Sequence, residues 1–260
     1  KLEYLSPGFS KKDRIARQMV EEARADGTLT PGQPVIELTS GNTGTGLAIV
    51  CAALGHPFVA VMSRGNSAER ACMMAALGAE VVLVDQTEGS EPGQVSGDDL
   101  QRVFEETARL TASRGAFRAD QFELAGNARA HSEHTGPELV RQCRGAGLEL
   151  DAFVDFVGSG GTFAGVAQAL RASMPAAGCF AVEPAGAAVL SGQRDRSTLL
   201  APHKIQGGGY GMEQLTAMAS GPAPDGYLEV SSDDAAATCR LLAKHEGIFS
   251  GFSGGANVAA

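Results

Sequence analysis

The chain has 260 residues, 43% of them hydrophobic and 20% charged, with a formal net charge of -9 at pH 7. This balance excludes a disordered chain and suits a large core or two smaller ones. The acidic field argues against nucleic acid or an acidic membrane as partner, but leaves room for a local phosphate site.

The first predicted element is a helix that follows "PGFSKKDR", residues 7–14. Ser10 reads as its N-cap and Asp13 as the residue three later that closes a capping box. Ile15, Ala16, Met19, Val20 and Ala23 define the apolar face. At about 100° per residue, Lys12 falls near the middle of that face and Lys11 about 110° from its centre. Lys12 is therefore expected to point inward and Lys11 outward. The helix dipole and desolvation both oppose an inward positive charge, and both favour the neutral amine that Schiff-base formation requires. The alternative is that Lys12 snorkels to the surface from the helix end. Lysine is scarce, with Lys1, Lys11, Lys12, Lys204 and Lys244 the full set.

Strands and helices then alternate. "PVIELTS" leads into "GNTGTGLAIVCAALG", "PFVAVMS" into "SAERACMMAALGAE", and "EVVLVD" is followed, after the polar loop 87–97, by "DDLQRVFEETARL". That loop is expected at the surface, with the border of a mobile cleft as the alternative. Further on, "DAFVDFVGSGG" precedes "TFAGVAQALRA", "GCFAVEP" is the next strand, "GYLEVSS" runs into "DDAAATCRLLAKHEG", and "IFSGFSGG" leads to a terminal helix. Short apolar strands joined by helices predict mostly parallel sheets covered on both faces.

Glycine is abundant, 34 residues, and clusters in "SGNTGTG", "GSGG", "GGGYG" and "GFSGG". Such loops after strands lie where α/β proteins bind ligands. In "VGSGGTFAG", Gly158, Gly160 and Gly161 allow a tight turn, while nearby amides and the Ser159 and Thr162 hydroxyls can donate to a phosphate. It is not a dinucleotide fingerprint, because Phe163 stands where the third glycine belongs, and it lacks the P-loop lysine. In "TSGNTG", Thr39, Ser40, Asn42 and Thr43 precede a helix whose N-terminus favours a carboxylate, although an elaborate N-cap gives the same pattern. Two anion sites and a scarce lysine suit pyridoxal phosphate with an amino acid.

With these motifs in place, the sequence resembles the cysteine synthase (O-acetylserine sulfhydrylase) family of pyridoxal-phosphate enzymes, in the fold-type-II group that includes cystathionine β-synthase. "SPGFSKKDRIA" resembles the cofactor-lysine segment N-P-x-x-S-[VI]-K-D-R, which assigns the Schiff base to Lys12 and puts Lys11 where Val or Ile is usual. "TSGNTGTGLA" resembles the substrate-carboxylate loop, implying substrate contacts from Thr39, Ser40, Gly41, Asn42 and Thr43, with Asn42 also at the cofactor's 3-hydroxyl. "GSGGTFAG" resembles the phosphate loop, implying cofactor contacts from Gly158, Ser159, Gly160, Gly161 and Thr162. Gln121, in "DQFELAGNARAHSEHTGPEL", is implied near the substrate carboxylate and Gly208, in "HKIQGGG", near the substrate. Ser253, in "EGIFSGFSGGA", falls where the family places a hydroxyl at the pyridine nitrogen.

The resemblance implies an α/β, tryptophan synthase β-like fold of two three-layer αβα domains with mostly parallel sheets. Residues 13–118 would form the smaller, mobile domain; 1–12 and 119–260 would form the larger one, lacking its terminal segments. It also implies a cytoplasmic homodimer with no metal. The implied reaction is β-replacement on O-acetylserine or a similar β-substituted amino acid, with sulfide giving L-cysteine through an aminoacrylate. Lys12, once freed, is the natural base for the α-proton, and a hydroxyl at the pyridine nitrogen favours elimination over a long-lived carbanion. Serine or threonine dehydration, cystathionine β-synthase-like condensation and a non-catalytic cofactor-binding role stay open as alternatives.

Several positions depart from the family pattern. Gly254 lacks a hydroxyl, Phe252 is bulkier than usual, and Gly208 and Tyr210 are expected to alter the shape near the reacting carbon.

The cysteines, Cys51, Cys72, Cys143, Cys179 and Cys239, are irregularly spaced and are expected to be reduced and mostly packed. His131, His134, His203 and His245 form no close metal triad and read as structural. Glu183 reads as a strand-end residue, and Asp233 with Asp234 as a helix N-terminus. No run of about 18 apolar residues and no signal peptide is found, so no membrane association is expected.

Overall fold

The computed structural model describes residues 1–90, 95–191, 203–209 and 216–260, apart from the side chains of 216 and 217. The chain forms two compact units, Lys1–Asn127 and Ala128–Ala260.

In the first unit, α1 (Lys12–Ala25), β1 (Val35–Leu38), α2 (Asn42–Leu54), β2 (Phe58–Ser63), α3 (Ala68–Ala76), β3 (Glu80–Val84), α4 (Gly97–Arg114) and β4 (Phe117–Arg118) follow in order. The strands make one parallel sheet in the order β3-β2-β1-β4, with Val35 opposite Phe58 and Phe117. Alternation along the strands divides the apolar residues between two faces. Ala60 and Met62 pack with Ala16, Leu47, Cys51 and Met74 from α1, α2 and α3. Val59 and Val61 pack with Ile36, Val103 and Leu110, closing the opposite face with α4. The predicted face of α1 is the observed one: Ile15, Ala16, Met19, Val20 and Ala23 are all buried. Burial pushes the Cys51 thiol up to about 12, so it packs as an unreactive apolar group.

The capping box forms elsewhere than expected. At α1 the N-cap residue is Lys11, whose side chain makes no capping bond, while Ser10 Oγ accepts from Lys12 N at 3.2 Å without closing a box with Asp13. The Asp13 carboxylate turns back instead and accepts from Gly8 N at 2.6 Å. Gly8 permits this, since a Cβ there would lie 2.3 Å from Asp13 Oδ1. The box is found at α4, where Ser96 Oγ accepts from Asp99 N at 3.1 Å and Asp99 Oδ2 accepts from Ser96 N at 3.0 Å.

Asp99 also orders part of the 87–97 loop, of which 91–94 lie outside the described residues; its Oδ1 accepts from Thr87 N at 2.6 Å and from Ser90 Oγ at 3.0 Å. Burial opposes its charge, but the donors at Ser96, Thr87, Ser90 and Gln86 outweigh burial and hold the carboxyl well below the usual range. Its stabilisation is therefore fully present above the unfolded aspartate value of about 3.9 and is lost as pH falls below it. Asp99→Ala is expected to lower stability by about 1–3 kcal/mol at neutral pH. Urea unfolding at pH 7 and pH 3 checks this, because the deficit should shrink at the lower pH.

The second unit holds α6 (Gly136–Gly145), β5 (Ala152–Phe156), α7 (Gly161–Ser173), β6 (Gly178–Pro184), α8 (Thr216–Ser220), β7 (Gly226–Val230), α9 (Ser232–Leu241) and α10 (Phe252–Ala259). A short helix, α5 (Gly126–Ala130), and a π-helical turn, His131–Thr135, precede α6. Strands β5-β6-β7 form a parallel sheet. Val140, Phe163, Val166 and Leu170 pack with Cys179 and Ala181 in one apolar cluster. Phe156, Val182 and Val230 from the strands form a second with Ile205, Ala235 of α9 and Ala256 of α10. The Asp233–Asp234 reading holds: both lie in the first turn of α9, where Ser231 Oγ accepts from Asp234 N at 3.0 Å.

The segment "IFSGFSGG" does not begin as a strand. Ile248 N donates to Leu242 O at 3.1 Å and Cys239 Sγ to Gly251 O at 3.2 Å, so its backbone closes a helix end instead of joining a ladder. The helices of 126–145 and the two-residue β4 have no counterpart in the periodicity reading. Gly136 and Pro137 look like a break, yet Pro137 sits in the first turn of α6, where a missing N–H costs no helical bond.

Candidate active site

Lys12 opens α1 after a loop tied down on both sides. Arg14 Nε and Nη2 donate to the Glu3 carboxylate at 2.6 and 3.0 Å, and Asp13 holds Gly8. Within the loop Phe9 has φ 60, a left-handed conformation that costs a non-glycine residue energy, three positions before the lysine. Lys11 and Lys12 are both half-buried, so the inward and outward expectation is not met as a difference in burial. At a first helical turn the preceding loop, and not the helix phase alone, sets side-chain cover. The two lysines differ in backbone surroundings: a Cβ on Gly46 of α2 would lie 3.0 Å from Lys12 O and 3.1 Å from Asp13 Cα. Gly46 thereby lets α2 approach the Lys12 backbone.

The 39–44 loop leaves the C-terminal end of β1 and is held by its own side chains. Thr39 Oγ1 accepts from Gly41 N at 3.1 Å and from Gly44 N at 2.9 Å. Thr39 thus shapes the loop, and the Gly41 and Gly44 amides are used internally. Gly41 has φ 152, and Arg70 lies where its Cβ would be while donating from Nη1 to Ser40 O at 2.9 Å. The Asn42 side chain is exposed and Ser40 half-buried. Thr45 N donates to Gly41 O at 2.8 Å as the first helical bond of α2, so the amides of Asn42 and Thr43 precede it and are oriented for an anion. Thr43 Oγ1 donates to Gln121 Oε1 at 2.8 Å, bringing together two residues 78 apart in sequence.

Behind them lies a residue the sequence reading passed over. Glu37, in β1, is 1% exposed, and its Oε1 accepts from Gln121 N at 3.3 Å and Gln121 Nε2 at 3.4 Å. The available signal was a lone carboxylate inside the apolar run of "PVIELTS".

In the second unit, the 158–162 loop leaves β5 and opens α7. Gly160 adopts φ 82, and Ala164 N donates to Gly160 O at 2.9 Å, so the amides of Gly161, Thr162 and Phe163 have no acceptor within the helix. Gly158 and Gly208 make close approaches: a Cβ on the first would lie 2.2 Å from Gly207 O, and on the second 2.4 Å from Val157 O. Thr162 Oγ1 is 3.1 Å from His131 Nε2, and His131 Nδ1 is 2.8 Å from Thr135 Oγ1. His131 is fully buried within this pair, in accord with its structural reading. A turn with glycine at 158, 160 and 161, three oriented amides and a buried threonine hydroxyl fit a phosphate group.

Ser253 is exposed in the first turn of α10, with Phe252 41% exposed before it. A Cβ on Gly254 would lie 2.9 Å from Ser250 Cβ. Glu183 is a strand-end residue, as expected, and its Oε1 also accepts from Val189 N and Leu190 N at 2.6 and 2.7 Å. Burial lowers the His203 imidazole's pKa, against a smaller opposing hydrogen bond with Ile205. Tyr210 lies outside the described residues. All five cysteines are free, with Cys51, Cys143 and Cys179 buried. Among the described residues no cluster of His, Cys, Asp or Glu suits a metal ion, and no helix is long and apolar enough to cross a membrane.

The family model of pyridoxal-phosphate dependent enzymes matches residues 1–260. A cysteine synthase of Staphylococcus aureus (strain Mu50 / ATCC 700699) is 40% identical over 258 residues, 99% of this chain and 77% of the relative. An O-ureido-L-serine synthase of Streptomyces lavendulae is 38% identical over 259 residues, covering 100% of this chain and 74% of the relative. Among solved structures, a hydrogen sulfide-producing enzyme from Fusobacterium nucleatum superposes with a TM-score of 0.87 at 36% identity, over 100% of this chain and 80% of that one. A match along the whole chain, on a scaffold of helix-covered parallel sheets, means that this chain belongs to the fold-type-II pyridoxal-phosphate dependent enzymes.

Proposed function

We propose that the chain catalyses β-replacement on O-acetylserine or a similar β-substituted amino acid, with sulfide as the nucleophile and L-cysteine as product. The observation that carries this reading is local to the first unit. Gly46 holds the start of α2, with its oriented Asn42 and Thr43 amides, against the backbone of Lys12. A helix start suited to a carboxylate beside the Lys12 backbone supports this reading. The S. aureus and F. nucleatum relatives, a cysteine synthase and a hydrogen sulfide-producing enzyme, support the sulfur chemistry.

When bound, pyridoxal phosphate supplies the electron sink that lets an α-proton and a β-substituent leave. The chain's own residues do the rest. Lys12 Nζ holds the cofactor and, once released, takes the proton from Cα. The amides of Gly161, Thr162 and Phe163, with Gly158, Gly160 and the Ser159 and Thr162 hydroxyls, bind the phosphate. Asn42 would hold the cofactor's 3-oxygen, and the Ser253 hydroxyl would serve its pyridine nitrogen. Ser40, Asn42, Thr43 and Gln121 would orient the substrate carboxylate around the loop that Thr39 and Gly41 shape, and Gly208 would leave room beside the substrate. The proposal keeps 13–118 as the smaller domain, with 1–12 and 119–260 as the larger. It includes a homodimer, which would cover the exposed Leu5 and Phe9, and a reducing cytoplasmic location that suits five free cysteines.

Incubation of the cofactor-loaded protein with O-acetylserine, with and without sulfide, tests the reading. Cysteine is expected only when sulfide is present. Rapid release of acetate, ketoacid and ammonia in its absence would favour β-elimination, the course of a dehydratase-type lyase, and sink the proposal.

A further inference from the structure

Alternation along β1 places Glu37 on the same face as Val35, which belongs to the apolar cluster of α1 and α2. An apolar residue would fill this site at lower cost, because a buried carboxyl oxygen without a partner is unfavourable. Yet Glu37 Oε2 is buried with no hydrogen-bond partner, while Oε1 faces both nitrogens of Gln121. Asn127 Nδ2 donates to Gln121 O at 2.6 Å and holds that backbone in place. The free choice in this network is which end of the Gln121 amide faces which neighbour.

In the structure the single hydroxyl proton of Thr43 is committed to Gln121 Oε1. An α-carboxylate only accepts hydrogen bonds, so when the Thr43 hydroxyl rotates to donate to it, Gln121 Oε1 is left facing a hydroxyl oxygen with no proton between them unless the amide turns over and offers Nε2 to Thr43 Oγ1. The turned amide then presents Oε1 to Glu37 and needs a donor there. A carboxylate has none, whereas a carboxylic acid has its O–H. Burial, and then the Asp120 charge, push the Glu37 carboxyl well above its usual range, against smaller effects of the Gln121 N–H groups and Arg118. Asp120 and Arg118 are the charged groups that act on it, and they pair with each other at 3.0 Å.

We propose that Glu37 is a positioning residue of the carboxylate loop: its buried carboxyl serves either orientation of the Gln121 amide, and so lets the Thr43 hydroxyl turn from Gln121 to an incoming α-carboxylate. This rests on the reading of 39–44 as the substrate-carboxylate loop. Glutamine at position 37 can likewise both accept and donate, and leucine can do neither.

The test is titration of cofactor-loaded protein with L-serine, followed by visible absorbance, together with infrared difference spectra of wild type against Glu37→Gln. Glu37→Leu is expected to bind L-serine roughly tenfold more weakly at unchanged cofactor content, and Glu37→Gln to recover most of that loss. The infrared difference should contain a protonated carboxyl band that shifts when L-serine binds. Equal affinity of wild type and Glu37→Leu, a Glu37→Gln variant as weak as Glu37→Leu, or no protonated carboxyl band would each overturn the proposal. If Glu37→Leu fails to fold, the glutamine variant and the band decide alone. A wild-type protein that binds no L-serine, its band present but unshifted, would overturn the loop reading and the proposal with it. Wild-type binding matched by Glu37→Leu would overturn the proposal only.

Discussion

Lys12→Ala is expected to leave no cofactor attached to the chain after borohydride reduction, and to lower β-replacement turnover by about three orders of magnitude or more. Both effects have one cause. In the proposed role the ε-amine would bond the cofactor and, once released, serve as the base beside Cα, so its removal would take away attachment and proton transfer together. Lys11→Ala is the matched control, since Lys11 is the N-cap residue of α1 and its side chain does not cap that helix. It should retain the reduced adduct. Peptide mass spectrometry after reduction, with cysteine formation measured on the same preparations, checks both variants. An adduct on Lys11, or its persistence in Lys12→Ala, would overturn the assignment.

Thr162→Val and Phe163→Ala are expected to fail in opposite ways although the residues are adjacent. Phe163 is fully buried among Val140, Val166, Leu170 and Ala181, with the Phe153 ring 6.2 Å away. Its truncation removes a large apolar side chain and leaves a cavity, costing about 3–5 kcal/mol, a large share of a domain's stability. Thr162 to valine keeps the volume but removes the hydroxyl beside His131 Nε2 and the phosphate turn. Its main effect should be on cofactor retention, with roughly a tenfold or greater loss of affinity for pyridoxal phosphate. Denaturant unfolding and cofactor titration on both variants separate the two. A Thr162→Val protein that holds cofactor like wild type would remove Thr162 from the phosphate site.

Much of this architecture is local and therefore legible. The strands at 35–38, 58–63, 80–84, 152–156 and 178–184 announce themselves as short apolar runs bounded by glycine or proline. The buried face of α1 follows from spacing alone, because a helix that must bury a stripe has only one way to turn. The phosphate turn is legible for a related reason: a strand, a glycine run and a helix start constrain a backbone whatever surrounds it. Where the reading failed, a local pattern met a non-local competitor. Ser10 and Asp13 have capping-box spacing, but Asp13 found the Gly8 amide, and the same pattern at Ser96 and Asp99 closed its box. "IFSGFSGG" had strand-like composition, but its backbone closed a helix end.

What the sequence by itself determined was the alternation of elements, the apolar faces and the two glycine-rich helix starts at 39–44 and 158–162, since each depends on residues within a turn or two of one another. Only the tertiary structure decided that Gly46 presses α2 against the Lys12 backbone, that Thr39 spends its oxygen on its own loop, and that His131 meets Thr162. It alone put Glu37 behind Gln121, 84 residues away. Side-chain hydrogen bonds across such separations depend on the register of strands and the packing of helices, which no local spacing encodes.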